Sequence, residues 1–326
     1  MPLTDMPLTE LTRYRPDLEA PADFDDFWAG TLAEARAQGG DPVLTPVEDT
    51  LLTAVDVHDV RFPGWNGEPV AAWLLLPRGA TGPLPVQVKY IGYSGGRGRP
   101  TDHLLPPAAG YAHLVVDSRG QGHDTPDHGT GGGTQWVEGF MTRGIEDPRD
   151  HYYRRLMTDC VRAVDAARAL PQVDPDRVVV SGGSQGGGLA LAVAGLARDL
   201  VAGVLTDVPF LCHYERGVEV ASDGPYVEIA KYLRWHSQDM AETAFRTLSY
   251  FDGVHFAARA TAPALFSVGL MDPICPPSTV YAAYHRYAAE RDIRVWRFAD
   301  HGGGYGATPG EHLRWLRDHG LAPKEA

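Results

Sequence analysis

Apolar residues return every three or four positions over 23–38, where Phe24, Phe27, Trp28, Leu32 and Ala35 share one face. Gly39-Gly40 supplies the stop, so an amphipathic helix is predicted there. Two strand-like runs follow, Val55 to Phe62 and Val70 to Leu76, flanking Gly64-Trp65-Asn66-Gly67. Asn-Gly is a hairpin signal, and the sheet is therefore expected to open with antiparallel strands.

Further along, the rhythm becomes strand, loop, helix. Leu84 to Ile91 runs into Gly92-Tyr93-Ser94-Gly95-Gly96, and Ala112 to Val116 ends at Asp117. A helix at about 150–170 buries Leu156, Cys160, Val161, Val164 and Ala167, and a second runs from Leu189 to Ala197. Val178 to Val180, Val201 to Leu205, Ala264 to Val268 and Ile293 to Phe298 complete the strands. Short apolar runs alternating with helical periodicity predict a mostly parallel sheet covered by helices on both faces.

Two segments break this rhythm. Residues 119–149 are Gly-rich and long for a connection, which marks a functional or interface loop. Residues 208–255 carry many aromatics without a strand signal and are read as a helical insertion over the sheet edge. The chain is taken as a single domain, 1–326, with residues 1–45 as an N-terminal helical extension.

Composition narrows the function. The 326 residues include 29 basic and 42 acidic side chains, a net charge of -13, which disfavours nucleic-acid and membrane partners. Cys160, Cys212 and Cys275 are too few and scattered for a disulfide framework or a zinc clamp. The start lacks the basic and apolar stretches of a secretory signal, so a cytoplasmic location is expected.

Gly182-Gly183-Ser184-Gln185-Gly186 matches G-x-S-x-G between a β-branched strand and a helix of small residues. Such a turn forces strained backbone on the serine and leaves no space for Cβ atoms beside it. It lifts the Ser184 hydroxyl to the end of the sheet, at the start of the next helix. A serine needs a base and an orienting carboxylate, and in this arrangement the chain order is Ser, acid, His. Among 13 histidines, His301 directly follows the last strand in a Gly-rich loop, whereas His285 and His312 fall in helical patterns. Asp207 and Asp272 compete for the acid; Asp272 is favoured because its Gly-x-x-Asp-Pro loop follows the penultimate strand. Asp300 adjoins His301 and is read as a strand-end cap. The oxyanion donors are expected to be the backbone N–H of Gln185 and one from Gly92-Tyr93. A divalent-metal reading of His123, Asp124, Asp127 and His128 lacks a His-Glu-x-x-His helix, and no metal or cofactor is required. Pocket walls are expected from residues 93–105, 208–235 and 273–280.

With Arg119-Gly120-Gln121 after a strand, the Ser184 motif and Gly92 to Gly98, the sequence resembles carbohydrate esterase family 7, the acetyl xylan esterases and cephalosporin C deacetylases. The resemblance covers nearly the whole chain. It implies the α/β-hydrolase fold, Ser184 as nucleophile, Asp272 as acid and His301 as base. Backbone groups of Tyr93 and Gln185 would form the oxyanion hole, with Arg119 and Gln121 as structural supports. The family usually has Glu after the catalytic His, where Gly302 stands here. The resemblance also implies a homohexamer of two trimers. The expected function is removal of acetyl groups from small acetylated sugars and related acetate esters such as cephalosporin C. The alternatives are another α/β-hydrolase, a peptidase or dienelactone-type hydrolase, and a non-catalytic binding protein on the same fold.

Overall fold

Nine strands form one continuous sheet in the computed structural model, which describes residues 3, 5–128, 133–235 and 238–323. They are β1 (Val43–Pro46), β2 (Val55–Pro63), β3 (Pro69–Pro77), β4 (Leu84–Tyr90), β5 (Ala112–Val116), β6 (Val173–Gly183), β7 (Gly203–Asp207), β8 (Ala264–Gly269) and β9 (Arg291–Trp296). Their spatial order is β1-β2-β3-β5-β4-β6-β7-β8-β9. The first four in that order pair antiparallel, and every pairing from β5 onward is parallel. This is the α/β-hydrolase arrangement.

The hairpin turn forms where Asn66-Gly67 predicted it, with both residues in the left-handed region at φ 54° and 69°. One expectation fails nearby. Residues 1–45 hold the short helix α1 (Leu8–Leu11) and α2 (Phe24–Ala37), but they end in β1, which pairs Val43 with Arg61. Four residues are too few for a period-two pattern to register.

Helices cover both faces. After the short α3 (Leu105–Ala108), α4 (Tyr152–Ala169) and α5 (Gln185–Ala197) pack on one side. On the other side α11 (Thr308–Asp318) lays Trp315 and Leu316 on Val179, Leu205 and Leu265. The 208–255 insertion contains α6 (Tyr214–Val220), α7 (Tyr226–Trp235), α8 (Ala241–Ser249) and α9 (Gly253–Ala257). The Phe210 N–H donates to the Ser184 carbonyl at 2.9 Å and Glu228 accepts from the Tyr93 hydroxyl at 2.9 Å, so part of the insertion packs beside the carboxyl ends of β4 and β6. The next helix, α10 (Pro277–Arg286), follows β8.

Direction decides where the site can form. From β4 the chain crosses to β5 on one side and then returns to β6 on the other, so the loops after β4 and β6 diverge. A crevice opens outside the strand ends at such a switch point. Tyr93 and Ser184 both sit there. Among the described residues, no helix is long and apolar enough to cross a membrane.

Candidate active site

Ser184 sits between β6 and α5 at φ 56° and ψ -121°, a strained conformation for a residue with a side chain. Three backbone hydrogen bonds hold it. Its N–H donates to the Asp207 carbonyl at 2.9 Å, and its own carbonyl accepts from Phe210 and Gly188 at 2.9 and 3.1 Å. Gly186 lets the elbow close: a Cβ there would stand 2.3 Å from the Tyr90 carbonyl oxygen.

His301 lies in the loop after β9, and its Nδ1 is 2.8 Å from Asp272 Oδ2. Asp272 is buried, and its Oδ1 accepts from the backbone N–H groups of Ile274 and Cys275 at 2.8 and 2.9 Å. Those bonds aim the other carboxylate oxygen at the imidazole. The rival acid is engaged elsewhere. Asp207 Oδ1 accepts from the Ser267 hydroxyl at 2.7 Å, and Oδ2 is 3.0 Å from His312 Nε2. Asp300 accepts from the Gly302 N–H at 2.9 Å and from the Tyr305 hydroxyl, so it braces the 300–305 turn.

Ser184 and His301 line one cavity of about 560 Å³. No hydrogen bond joins them in this structure; the Ser184 hydroxyl is within hydrogen-bonding reach of the Cys275 thiol. Nucleophile–base hydrogen bonds often tighten only when substrate is bound. Asp272, Cys275 and His301 are the described residues whose His, Cys or carboxylate atoms converge, all within 4.8 Å. The metal-like spacing at 123–128 does not converge: Asp124 pairs with Arg97, and Asp127 with Arg143 and Arg155.

Two backbone donors flank the elbow. Among the described residues, the N–H groups of Tyr93 and Gln185 donate to no protein acceptor. Gln185 anchors this pair through its buried side chain, which accepts from Gln121 Nε2 and the Tyr153 hydroxyl, both at 2.9 Å, and donates to the Ile91 carbonyl at 3.1 Å. Gln121 also accepts from the Ser94 N–H at 2.7 Å, tying the loop after β4 to the Ser184 elbow. Arg119 is fully buried; its Nε is 2.7 Å from Asp159, and it also pairs with Glu68. Asp159 in turn accepts from the Trp65 N–H, so the ion pair locks the hairpin turn to α4.

Several contributors escaped sequence reasoning. Glu228 accepts from the Tyr93 hydroxyl at 2.9 Å and from the Met141 N–H at 3.2 Å, and burial pushes its carboxyl up to about 6. Of the expected pocket walls, Asp102, His103, Leu105 and Val208 line this cavity. Residues 273–280 do not. Most of its wall comes from strand ends and α11, including Gln87, Lys89 and His113. The polar positions in the apolar run Leu84-Pro-Val-Gln-Val-Lys-Tyr were the readable sign of that wall.

Gly302 has a local cause. A Cβ there would stand 2.4 Å from Tyr305 Cε1, because the Tyr305 ring folds back over the glycine with its own φ at 47°.

The family model for acetyl xylan esterase (AXE1) matches residues 1–319. The chain belongs to the acetyl xylan esterase family. This is a family of carboxylic ester hydrolases. The acetyl xylan esterase from Paenibacillus sp. R4 superposes with a TM-score of 0.90 at 40% identity, over 97% of this chain and 100% of that one. Acetyl xylan esterase 1 from Thermoanaerobacterium sp. JW/SL YS485 gives 0.87 at 33% identity, over 97% and 99%. Acetyl esterase Axe7A of Xylanibacter ruminicola is 27% identical over 298 residues, 88% of this chain and 65% of that protein. The chain thus spans a little under two thirds of that relative. The acylaminoacyl peptidase of Pyrococcus horikoshii, at 16% identity and a TM-score of 0.60, covers 84% of this chain and 43% of its own length, and shares the fold alone.

Proposed function

We propose that this family member is a serine esterase that removes acetyl groups from small acetylated xylo-oligosaccharides and related acetate esters such as cephalosporin C. One observation carries the reading: a buried carboxylate holds His301 at 2.8 Å on the cavity that Ser184 lines from its strained elbow. Asp272 keeps the proton on Nδ1, leaving Nε2 free to act as base. His301 then takes the Ser184 proton as the oxygen attacks the acetyl carbonyl. The developing oxyanion is held by the N–H groups of Tyr93 and Gln185. As the carbonyl re-forms, the C–O bond to the alcohol breaks, and His301 returns the proton to that oxygen. Water, deprotonated by His301, attacks the acetyl-enzyme in the same way and releases acetate and Ser184.

The test is turnover of acetylated xylo-oligosaccharide, cephalosporin C and 4-nitrophenyl acetate side by side, with Ser184→Ala as blank. Hydrolysis of all three by the wild type alone supports the reading; silence on every acyl ester would revive a binding protein. An acyl series from acetate to octanoate addresses the other α/β-hydrolase reading. Acetate should lead, with leakage to propionate, since one methylene is worth about 1–3 kcal/mol. Equal rates along the series would remove the acetyl claim. The same proposal makes the protein a cytoplasmic homo-oligomer, a hexamer as the family resemblance implies, which a solution mass measurement tests.

A further inference from the structure

The cavity continues from Ser184 along the sheet face beneath α11, and its wall there is polar. Gln87 and Lys89 alternate along β4, and register sets Gln87 beside His113 of β5 and Lys89 beside Ser181 of β6. Ser181 is three residues before Ser184, roughly 10 Å along a strand. A sugar whose acetyl carbonyl lies at Ser184 would reach this wall with its far side.

The wall carries one ammonium, Lys89, and two carboxylates, Asp102 and Asp207. Lys89 is partly buried, and its one hydrogen-bonded neighbour among the described residues is His103 Nδ1 at 3.5 Å. His103 can only accept there, because its Nε2 lies 2.9 Å from the Arg97 carbonyl and must carry the proton. His113 is likewise neutral, donating from Nδ1 to the Gln87 carbonyl at 3.0 Å, and burial holds it down to about 3. The acids nearby are occupied: Asp207 by Ser267 and His312, Asp102 by the Arg99 N–H. Neither forms an ion pair with Lys89, whose ammonium pKa is lowered by burial against the pull of both carboxylates. Beside it the Gln87 and Ser181 side chains, 6% and 7% exposed, face the cavity without a hydrogen-bond partner among the described residues. Polar groups that face a cavity and lack a protein partner are satisfied by water or by a ligand. An ammonium with no acid in contact, an amide and a hydroxyl on one wall together match a carboxylate.

We propose that this arm of the cavity is a carboxylate subsite for the alcohol half of the ester. Lys89 makes the ion pair, and Gln87 and Ser181 donate the flanking hydrogen bonds. The preferred substrates are then acetyl esters of acid-bearing sugars, uronosides, over the same esters of neutral sugars. The inference rests on the esterase reading above.

The test compares kcat/KM for acetylated methyl glucuronoside and acetylated methyl glucoside, as a ratio within each protein so that any general loss of activity cancels. The wild type should favour the uronoside by roughly tenfold or more, the worth of one charge-assisted hydrogen bond. Lys89→Met should bring the ratio to about one, and Lys89→Arg should keep it well above one. A wild-type ratio near one overturns the proposal even if neither variant folds, and so does a ratio that survives Lys89→Met. Competition against 4-nitrophenyl acetate locates the carboxylate. Methyl glucuronoside should inhibit the wild type well below the concentrations needed for methyl glucoside or acetate; acetate inhibiting equally well would place the anion in the acyl pocket and overturn the subsite. If the protein turns over no acyl ester, the esterase reading fails. The subsite is then judged by calorimetry, through stronger binding of methyl glucuronoside than of methyl glucoside.

Discussion

His301 Nδ1 stands 2.8 Å from Asp272 Oδ2, across 29 positions of chain, while the other strand-end acid, Asp207, is bonded to Ser267 and His312. The two carboxylates therefore part company on mutation. Asp272→Asn should lower kcat on 4-nitrophenyl acetate by about 10⁴-fold, because the amide stabilises the wrong imidazole tautomer. Asp207→Asn should cost far less. Ser184→Ala should lose about 10⁶-fold in kcat with unchanged thermal stability. Equal losses for the two aspartates would contradict the assignment.

Arg119 is a support whose removal leaves charge behind. Without it, Asp159 stays buried with a single backbone donor, from Trp65. Arg119→Met is expected to destabilise the fold by about 3–5 kcal/mol in urea unfolding, the cost of stranding a buried charge. Arg119→Lys should recover only part of that, since an ammonium cannot make the two-pronged contact seen with Asp159.

Gly302 and Tyr305 are coupled by contact. Gly302→Glu places its Cβ in the Tyr305 ring, so alone it should lower stability and disturb the His301 loop. In a Tyr305→Ala background the same substitution should be much milder. A double-mutant cycle should show about 0.5–3 kcal/mol of favourable coupling. Additive effects would mean that the ring does not hold this position against a side chain.

Acid should loosen the fold in a defined window. Burial holds His151 and His255 down to about 4, so above their ordinary value near 6.5 they cost nothing. As pH falls from 6.5 toward 4, the unfolded chain takes protons that the folded one refuses. Each histidine then removes about 1.4 kcal/mol of unfolding free energy per pH unit. Glu228, raised to about 6, acts in the opposite direction: its ionised form is penalised in the fold above pH 6, and protonation relieves that as pH falls toward 4.5. Urea midpoints at pH 7.5 and 5 should show a net fall, and Glu228→Gln should make it steeper by removing the relief.

Most strands were legible because each is a short apolar run closed by turn residues, and Ala112 to Val116 matches β5 residue for residue. The last strand stops two residues early, since the Ala299 N–H turns back to the Trp296 carbonyl and leaves Phe298 exposed. Hydrophobicity alone cannot show where a ladder of hydrogen bonds ends. Glu228 was invisible for another reason: its partner, the Tyr93 hydroxyl, is 135 positions away, and no local pattern encodes so distant a contact.

Local chemistry was enough to place Ser184 on a strained elbow, because the turn that strains it demands glycines that can be read one after another. Local chemistry also limited the base and acid to a few loop residues after strands. It favoured Asp272 over Asp207 through the Gly-x-x-Asp-Pro loop, although both follow strands of the same sheet. The contact with His301 needed three dimensions: the loop after β8 curls so that two backbone N–H groups grip one oxygen of Asp272 and turn the other toward the imidazole.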